Sequence, residues 1–209
     1  KKENKLKFNT DLKLKNKNFK IDNINYKKKD GTNMLLQVKG EINDDYNLNI
    51  KSFNVYEDNN KIKITNLFLN DSNQIKKIEQ AKFNFLDAEN KKNNYSIKQI
   101  SEYDYTISGS SFNANSLISN LIKTKKQKEK NFFENNLNLD LNLNEVYIDE
   151  IYFVRDLKGK LQIKNNQVVG ADILAFFDNS QNIKFTIRTT DNDEKITTIF
   201  SSKAKPLVN

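Results

Sequence analysis

General acid–base chemistry, metal binding and nucleophilic attack each need particular side chains, and this chain offers a short list of them. Its 209 residues include no Cys and no His. That excludes thiolate and imidazole metal sites, disulfides, thiol nucleophiles and the Ser-His-Asp triad. Carboxylates, Lys and Tyr remain. Asp22, Asp44, Asp45, Asp140, Asp149, Glu150 and Asp156 are the groups from which a glycosidase-like pair would be drawn, but most stand at turn sequences or on the polar parity of an alternating segment. Asp191-Asn192-Asp193-Glu194 is rich in oxygen ligands yet lacks the glycine and ligand spacing of a calcium loop, so it reads as a hairpin turn. Tyr103, Tyr105, Phe176 and Phe177 have faces suited to stacking on bases or sugars, but their places in alternating segments assign them to a core. No catalytic constellation emerges, no metal or cofactor is called for, and the chain does not read as an enzyme.

The elements that would position any site are strands. In Asn136 to Asn144, Leu137, Leu139, Leu141 and Leu143 alternate with Asn138, Asp140 and Asn142, the period-two pattern of a strand with one dry and one wet face. The same alternation recurs at Leu6 to Leu14, Phe19 to Tyr26, Met34 to Val38, Tyr46 to Val55, Ile62 to Leu69, Ala81 to Phe85, Tyr95 to Ile97 and Tyr103 to Ile107. Beyond the leucine ladder it continues through Ile151 to Ile163, Val169 to Phe177, Ile183 to Ile187 and Ile196 to Phe200. Parity slips within these runs mark bends or bulges. Asp30-Gly31 predicts a hairpin turn, because Gly accepts positive φ, with Met34 to Val38 as its return strand. Ile75 and Ile78 suggest a short helical turn or connecting loop. Strands and Asn/Asp turns about 10 residues apart are an all-β signature.

One segment breaks the pattern. After Gly109-Ser110-Ser111, Leu117, Ile118, Leu121 and Ile122 take helical spacing, with Asn113 or Asn115 as N-cap, and the lysine-rich run at 123–131 follows as a polar linker. The expected fold is therefore mainly β: a long antiparallel meander forming an elongated curved sheet or groove, with one short helix near 113–125. It reads as a single elongated β-domain over 1–209, with a natural division into a meander (1–109) and a helix plus meander (110–209). Starting at Lys1 without a signal peptide or long apolar run, the chain is expected to be a piece of a larger protein.

The formal net charge is +8, from 35 Lys and Arg against 27 Asp and Glu. Only Arg155 and Arg188 are arginines, so bidentate phosphate and base contacts are scarce and nucleic acid is not an expected partner. The lysines alternate with apolar residues and line solvated faces. A mismatch is more informative: about a dozen strands each offer an apolar face, and one helix is available to cover them. Either two sheets close into a sandwich or barrel, or a single curved sheet keeps an apolar face for something else.

Four stretches in order, GSSFNANSLISNLI, LNLDLNLNEV, VRDLKGKLQIKNNQVVGADI and IFSSKAKPLV, resemble the AsmA-like superfamily, including its YhdP-like and TamB-like envelope proteins. The matching positions are Gly109, Phe112, Asn113, Ala114, Leu117 and Ile118, then Leu157, Gly159 and Leu161, then Ser201, Ala204 and Leu207, with Asn113 where the family often has Asp. The resemblance covers mainly residues 105–209. It implies a periplasmic β-groove anchored to the inner membrane by a segment outside this chain, binding phospholipids and moving them between inner and outer membrane, with other envelope proteins as further partners and no catalytic residues. On that basis the groove-facing residues are Leu137, Leu139, Leu141, Leu143, Ile173, Phe177, Ile183, Phe185 and Ile187. The alternative is a closed β-sandwich serving as a structural or interaction module of an envelope protein.

Overall fold

The computed structural model describes residues 5–43, 47–115, 133–165, 167–178, 180–190 and 194–202. Strands β1 (Leu6–Leu14), β4 (Met34–Ile42), β5 (Leu48–Glu57), β6 (Asn60–Leu69), β7 (Ile75–Leu86), β8 (Lys92–Gln99) and β9 (Asp104–Asn113) lie side by side, each antiparallel to the one before. Then β10 (Leu137–Tyr147) joins β9 in parallel, and β11 (Phe153–Lys164), β12 (Gln167–Phe176), β13 (Asn182–Thr189) and β14 (Lys195–Ser201) continue antiparallel. The result is one twelve-stranded sheet in which β1 and β14 are the outermost strands among the described residues. At about 4.8 Å per strand it measures about 50 Å across. The expected antiparallel meander forms, and it is not closed.

Three local expectations are corrected. Ile75 and Ile78 belong to β7, because both side chains fall on the apolar side of the β6–β7 ladder, opposite Leu69 and Leu67. Gly31 does take φ 77, but the strand after it pairs with β1 rather than with the segment before it. Phe112 and Asn113, placed at the start of the expected helix near 113–125, instead end β9, opposite Val146 and Tyr147. Asn113 still behaves partly as a cap, since its Oδ1 accepts the Asn115 N–H at 3.1 Å. The rest of that expected helix, from 116 on, lies outside the described residues, as do the turns at Asp44-Asp45 and Asp191 to Asp193.

Between β1 and β4 the chain makes a small cap. Strands β2 (Lys20–Ile21) and β3 (Tyr26–Lys27) flank a 3-10 turn at Asp22–Ile24, closed by Asn25 at φ 53. Left-handed backbone is usually the province of Gly. Here Asp58, Asn66, Asn73, Asn90, Asp156 and Asn165 supply it as well, so the Asn/Asp punctuation of a glycine-poor sequence is conformational.

Two sets of parity slips are coordinated between neighbouring strands, whereas other register shifts, such as that at Lys39/Gly40 between β4 and β5, are one-sided bulges. Leu67 pairs with Ile50 and Ile78, while Thr65 pairs with Ser52 and Gln80, so Lys51, Asn66 and Glu79 are extra residues at one level of three strands. Asn66 Nδ2 donates to Glu79 Oε2 across that level (2.5 Å). A second set, Asn144 in β10 and Asp156 in β11, falls between the Leu143–Leu157 and Glu145–Arg155 pairs. Each extra residue re-phases the alternation within its own strand, and where neighbouring strands slip at the same level their apolar residues stay opposite one another.

Candidate functional site

Registers define the two faces of the sheet, because residues directly opposite in neighbouring strands point to the same side. On one face Leu36, Val55, Ile62, Phe83 and Tyr95 form a row across β4 to β8. Ile107, Leu141, Gly159, Ile173, Phe185 and Ile199 form another from β9 to β14. Tyr105, Leu139, Leu161, Ala171 and Ile187 lie beside it. Glycine is required at Gly159, where an added Cβ would stand 2.3 Å from the Asp172 carbonyl oxygen and 2.7 Å from the Ile173 Cα.

All four ladder leucines fall on this face, with Leu137, Leu141 and Leu143 buried and Leu139 half-buried. Ile173, Phe185 and Ile187 join them in the rows, half-buried. Ile183 pairs with Ala175, and Phe177, just beyond β12, packs with it against the buried cluster. The nine residues named from sequence thus share one surface. Its centre is covered, whereas its margins are open: Leu6 and Leu12 at β1 are 68% and 45% exposed, and Ile199 at β14 is 53% exposed.

The other face carries Lys61, Lys63, Lys82, Lys158, Lys160 and Lys184, interleaved with Asn, Ser and Thr. Lys63 sits directly opposite Lys82. Depressions of about 710 and 390 Å3 lie on this side, the first lined by Lys61, Lys63, Lys82, Ser96 and Ser108 among others, the second by Asp140, Asn142, Lys158 and Lys160. Because most of these charges are exposed lysines and arginine is scarce in the chain, DNA binding should come from counterion release alone. Affinity measured by fluorescence anisotropy is expected to be weak, to lack sequence preference and to vanish as salt rises; tight, selective binding at physiological salt would refute this.

Among the described residues the candidate carboxylates are dispersed, and Asp44 and Asp45 lie outside them. Asp22 pairs with Lys20 at 3.0 Å, Asp140 lies opposite Lys160, and Asp149 Oδ1 accepts the N–H groups of Ile151 and Tyr152 at 2.7 and 2.6 Å in a turn. Among the described residues no group of acidic side chains is gathered in a way that could hold a metal ion. Tyr103 is exposed and Tyr105 buried, the latter's hydroxyl accepting the Ile78 N–H at 3.4 Å. Phe176 and Phe177 are half-buried.

Sequence reasoning missed the closure of one end. The cap lays Phe19, Ile21, Ile24 and Tyr26 on the apolar core, and the rings run in edge or stacked contact from Phe19 to Tyr26, Phe85, Phe83, Tyr95 and Phe112. Beneath Tyr26 lies Glu57, 1% exposed. It accepts hydrogen bonds from the Tyr26 hydroxyl (2.6 Å), the Lys29 N–H (2.7 Å), Asn60 Nδ2 (3.1 Å) and the Thr32 hydroxyl. Burial pushes its pKa up, but these donors outweigh that and hold it below the ordinary glutamate value. Burial, with Glu57 beside it, raises the Tyr26 hydroxyl well above the normal tyrosine range. The available clue was parity: Glu57 continues the apolar set Phe53, Val55. Asp87 is a second buried carboxylate. Its Oδ2 accepts Asn93 Nδ2 and Asn113 Nδ2 at 3.0 and 2.8 Å, tying the β7–β8 turn to the end of β9.

Compared with protein-family models, with curated proteins and with solved structures, the chain matches none. Among the described residues no helix is long and apolar enough to cross a membrane.

Proposed function

We propose that the apolar face is a binding surface for phospholipid acyl chains, and that the chain is a segment of an AsmA-like bridge carrying lipid between inner and outer membrane. The observation that carries this reading is the continuity of the apolar rows across an open sheet whose outer strands leave Leu6, Leu12 and Ile199 exposed, with Ile173 half-buried further in. Burying an acyl chain there gains about 0.8 kcal/mol per CH2 and needs no base, acid or metal. Headgroups would stay at the polar rim. The family resemblance in residues 105–209 supports the same assignment.

Photo-crosslinking tests it by parity. A photoreactive residue at 139 or 173 is expected to capture phospholipid from vesicles, and one at 138 or 142 to capture none. Equal capture on both parities would sink the groove. A second reading has one specific observation in its favour: Leu137, Leu141 and Leu143, at 7%, 8% and 3% exposure, are covered within the chain itself. A closed interaction module would show that too. It predicts no lipid adduct at any of the four positions and no phospholipid in mass spectra of gently purified protein.

A further inference from the structure

Lysines are spread along the polar face of the sheet, but their surroundings differ. Lys160 stands between Asp140 and Asp172 in the ladders of β10 to β12, and Lys184 Nζ lies 3.6 Å from Asp172 Oδ1. On β6 and β7 the arrangement is the reverse. Lys63 stands directly opposite Lys82, and Lys61 lies two residues along β6, about 7 Å away on the same side. Like charges directly opposite one another destabilise an antiparallel pair. Among the described residues none of these three lysines has an ion pair.

All three line the depression of about 710 Å3, and none of the described residues around it carries a carboxylate. The smaller depression, by contrast, has Asp140 beside its lysines. Ser96 and Ser108 continue the Lys63–Lys82 row across β8 and β9, bringing hydroxyls to the far side of the larger one. Ser110 joins them there as the extra residue of a bulge, since Asn94 pairs with Ser111 but Tyr95 with Gly109. A bulge bends its strand and re-aims a side chain, and bulges gather next to sites. On the near side Tyr56, opposite Lys61, has two ammonium groups over its ring, with Lys61 Nζ at 5.6 Å and Lys63 Nζ at 6.0 Å from the centroid.

We propose that Lys61, Lys63 and Lys82 bind a phosphomonoester group in this depression, with the serine hydroxyls as further donors. Near neutral pH such a group carries about −1.5 to −2 charges and three strong acceptor oxygens. One group can therefore answer three ammoniums and turn the repulsion between Lys63 and Lys82 into shared attraction. A carboxylate or a phosphodiester brings a single charge and leaves most of that repulsion in place. The depression is also within the size range of pockets that take small molecules, so there is room for what the phosphate is attached to. The site lies on the face opposite the acyl-chain surface, and neither depends on the other.

Calorimetric titration of the unaltered chain with glycerol 3-phosphate at physiological salt is expected to show saturable one-to-one binding. Lys82→Gln should weaken it about tenfold or more, yet unfold at no lower urea concentration than the unaltered chain, because it relieves the contact with Lys63. Lys160→Gln removes the same charge from a position flanked by two aspartates and should bind as the unaltered chain does. Cosedimentation with phosphatidylcholine vesicles, with and without phosphatidic acid, separates two sources of the group. A gain on phosphatidic acid that is lost in Lys82→Gln and competed by glycerol 3-phosphate assigns it to a lipid headgroup; vesicle binding that does not depend on Lys82, beside a positive titration, assigns it to a soluble phosphorylated molecule. Absence of saturable binding in the titration, or equal weakening by Lys82→Gln and Lys160→Gln, would overturn the proposal, since bulk positive charge would then account for any attraction.

Discussion

Glu57→Ala is expected to cost the fold about 3–5 kcal/mol, measured by urea unfolding at neutral pH, although it removes a charged group from an apolar environment. The reason is what it leaves behind. The Tyr26 hydroxyl and the Lys29 N–H would lose their acceptor in a place where water does not reach, and the cap would lose the tie that presses Tyr26 onto Phe85. Glu57→Gln keeps one acceptor but turns an amide N–H2 toward hydroxyl donors, so it should fall between. The dependence on pH has a definite sign. A carboxylate held below its unfolded pKa contributes stability that is fully present above the unfolded value and is lost as pH falls through the folded one. The gap between native protein and Glu57→Gln should therefore narrow on acidification; a gap independent of pH would show that Glu57 is not ionised in its site.

Leu141→Asp is expected to destabilise by about 4 kcal/mol or more, whereas Asn142→Asp, one residue along, should stay within about 0.5 kcal/mol. Leu141 is 8% exposed, with Ile107 and Gly159 as its cross-strand neighbours, and no cation stands in that row to receive a carboxylate. Asn142 is exposed on the opposite side and faces Lys158. Burial raises the pKa of a carboxyl at 141, so that variant should regain stability as pH falls, opposite in slope to the loss of the Glu57 contribution. Similar denaturation curves for the two variants would mean that the faces are misassigned, and the acyl-chain reading would go with them.

The sheet was legible in the sequence because its code is the shortest in proteins, a period of two, repeated in almost every strand. The slips were legible as bends but not as partners: nothing in the sequence aligns Lys51 with Asn66 and Glu79, since lateral register is set by packing on the covered face. Pairing order was the weaker inference. Asp30-Gly31 is locally a hairpin signal, yet the ladder between β1 and β4 won, because Leu12 and Leu14 find Leu36 and Met34 on the apolar face, whereas the segment between folds into a cap. The common face of the nine apolar residues named from sequence was legible by parity. Glu57 was not, because one charged residue on an apolar parity looks the same in sequence whether it ends a strand in water or is buried under a tyrosine.

The parallel junction between β9 and β10 has a kinetic consequence. Every other neighbouring pair in the sheet is joined by a shorter connection, so hairpins can form early and extend by zipping. Asp104 and Asn138, by contrast, are 34 positions apart in the chain and must meet with both strands pointing the same way. Closing that distance costs entropy before any ladder bond repays it. Two locally assembled halves, β1–β9 and β10–β14, would then wait on one another, and the step that joins them sets the pace of folding. Until it is complete, β9 and β10 each present a bare apolar edge, which makes this interval the time at which the chain is most exposed to aggregation.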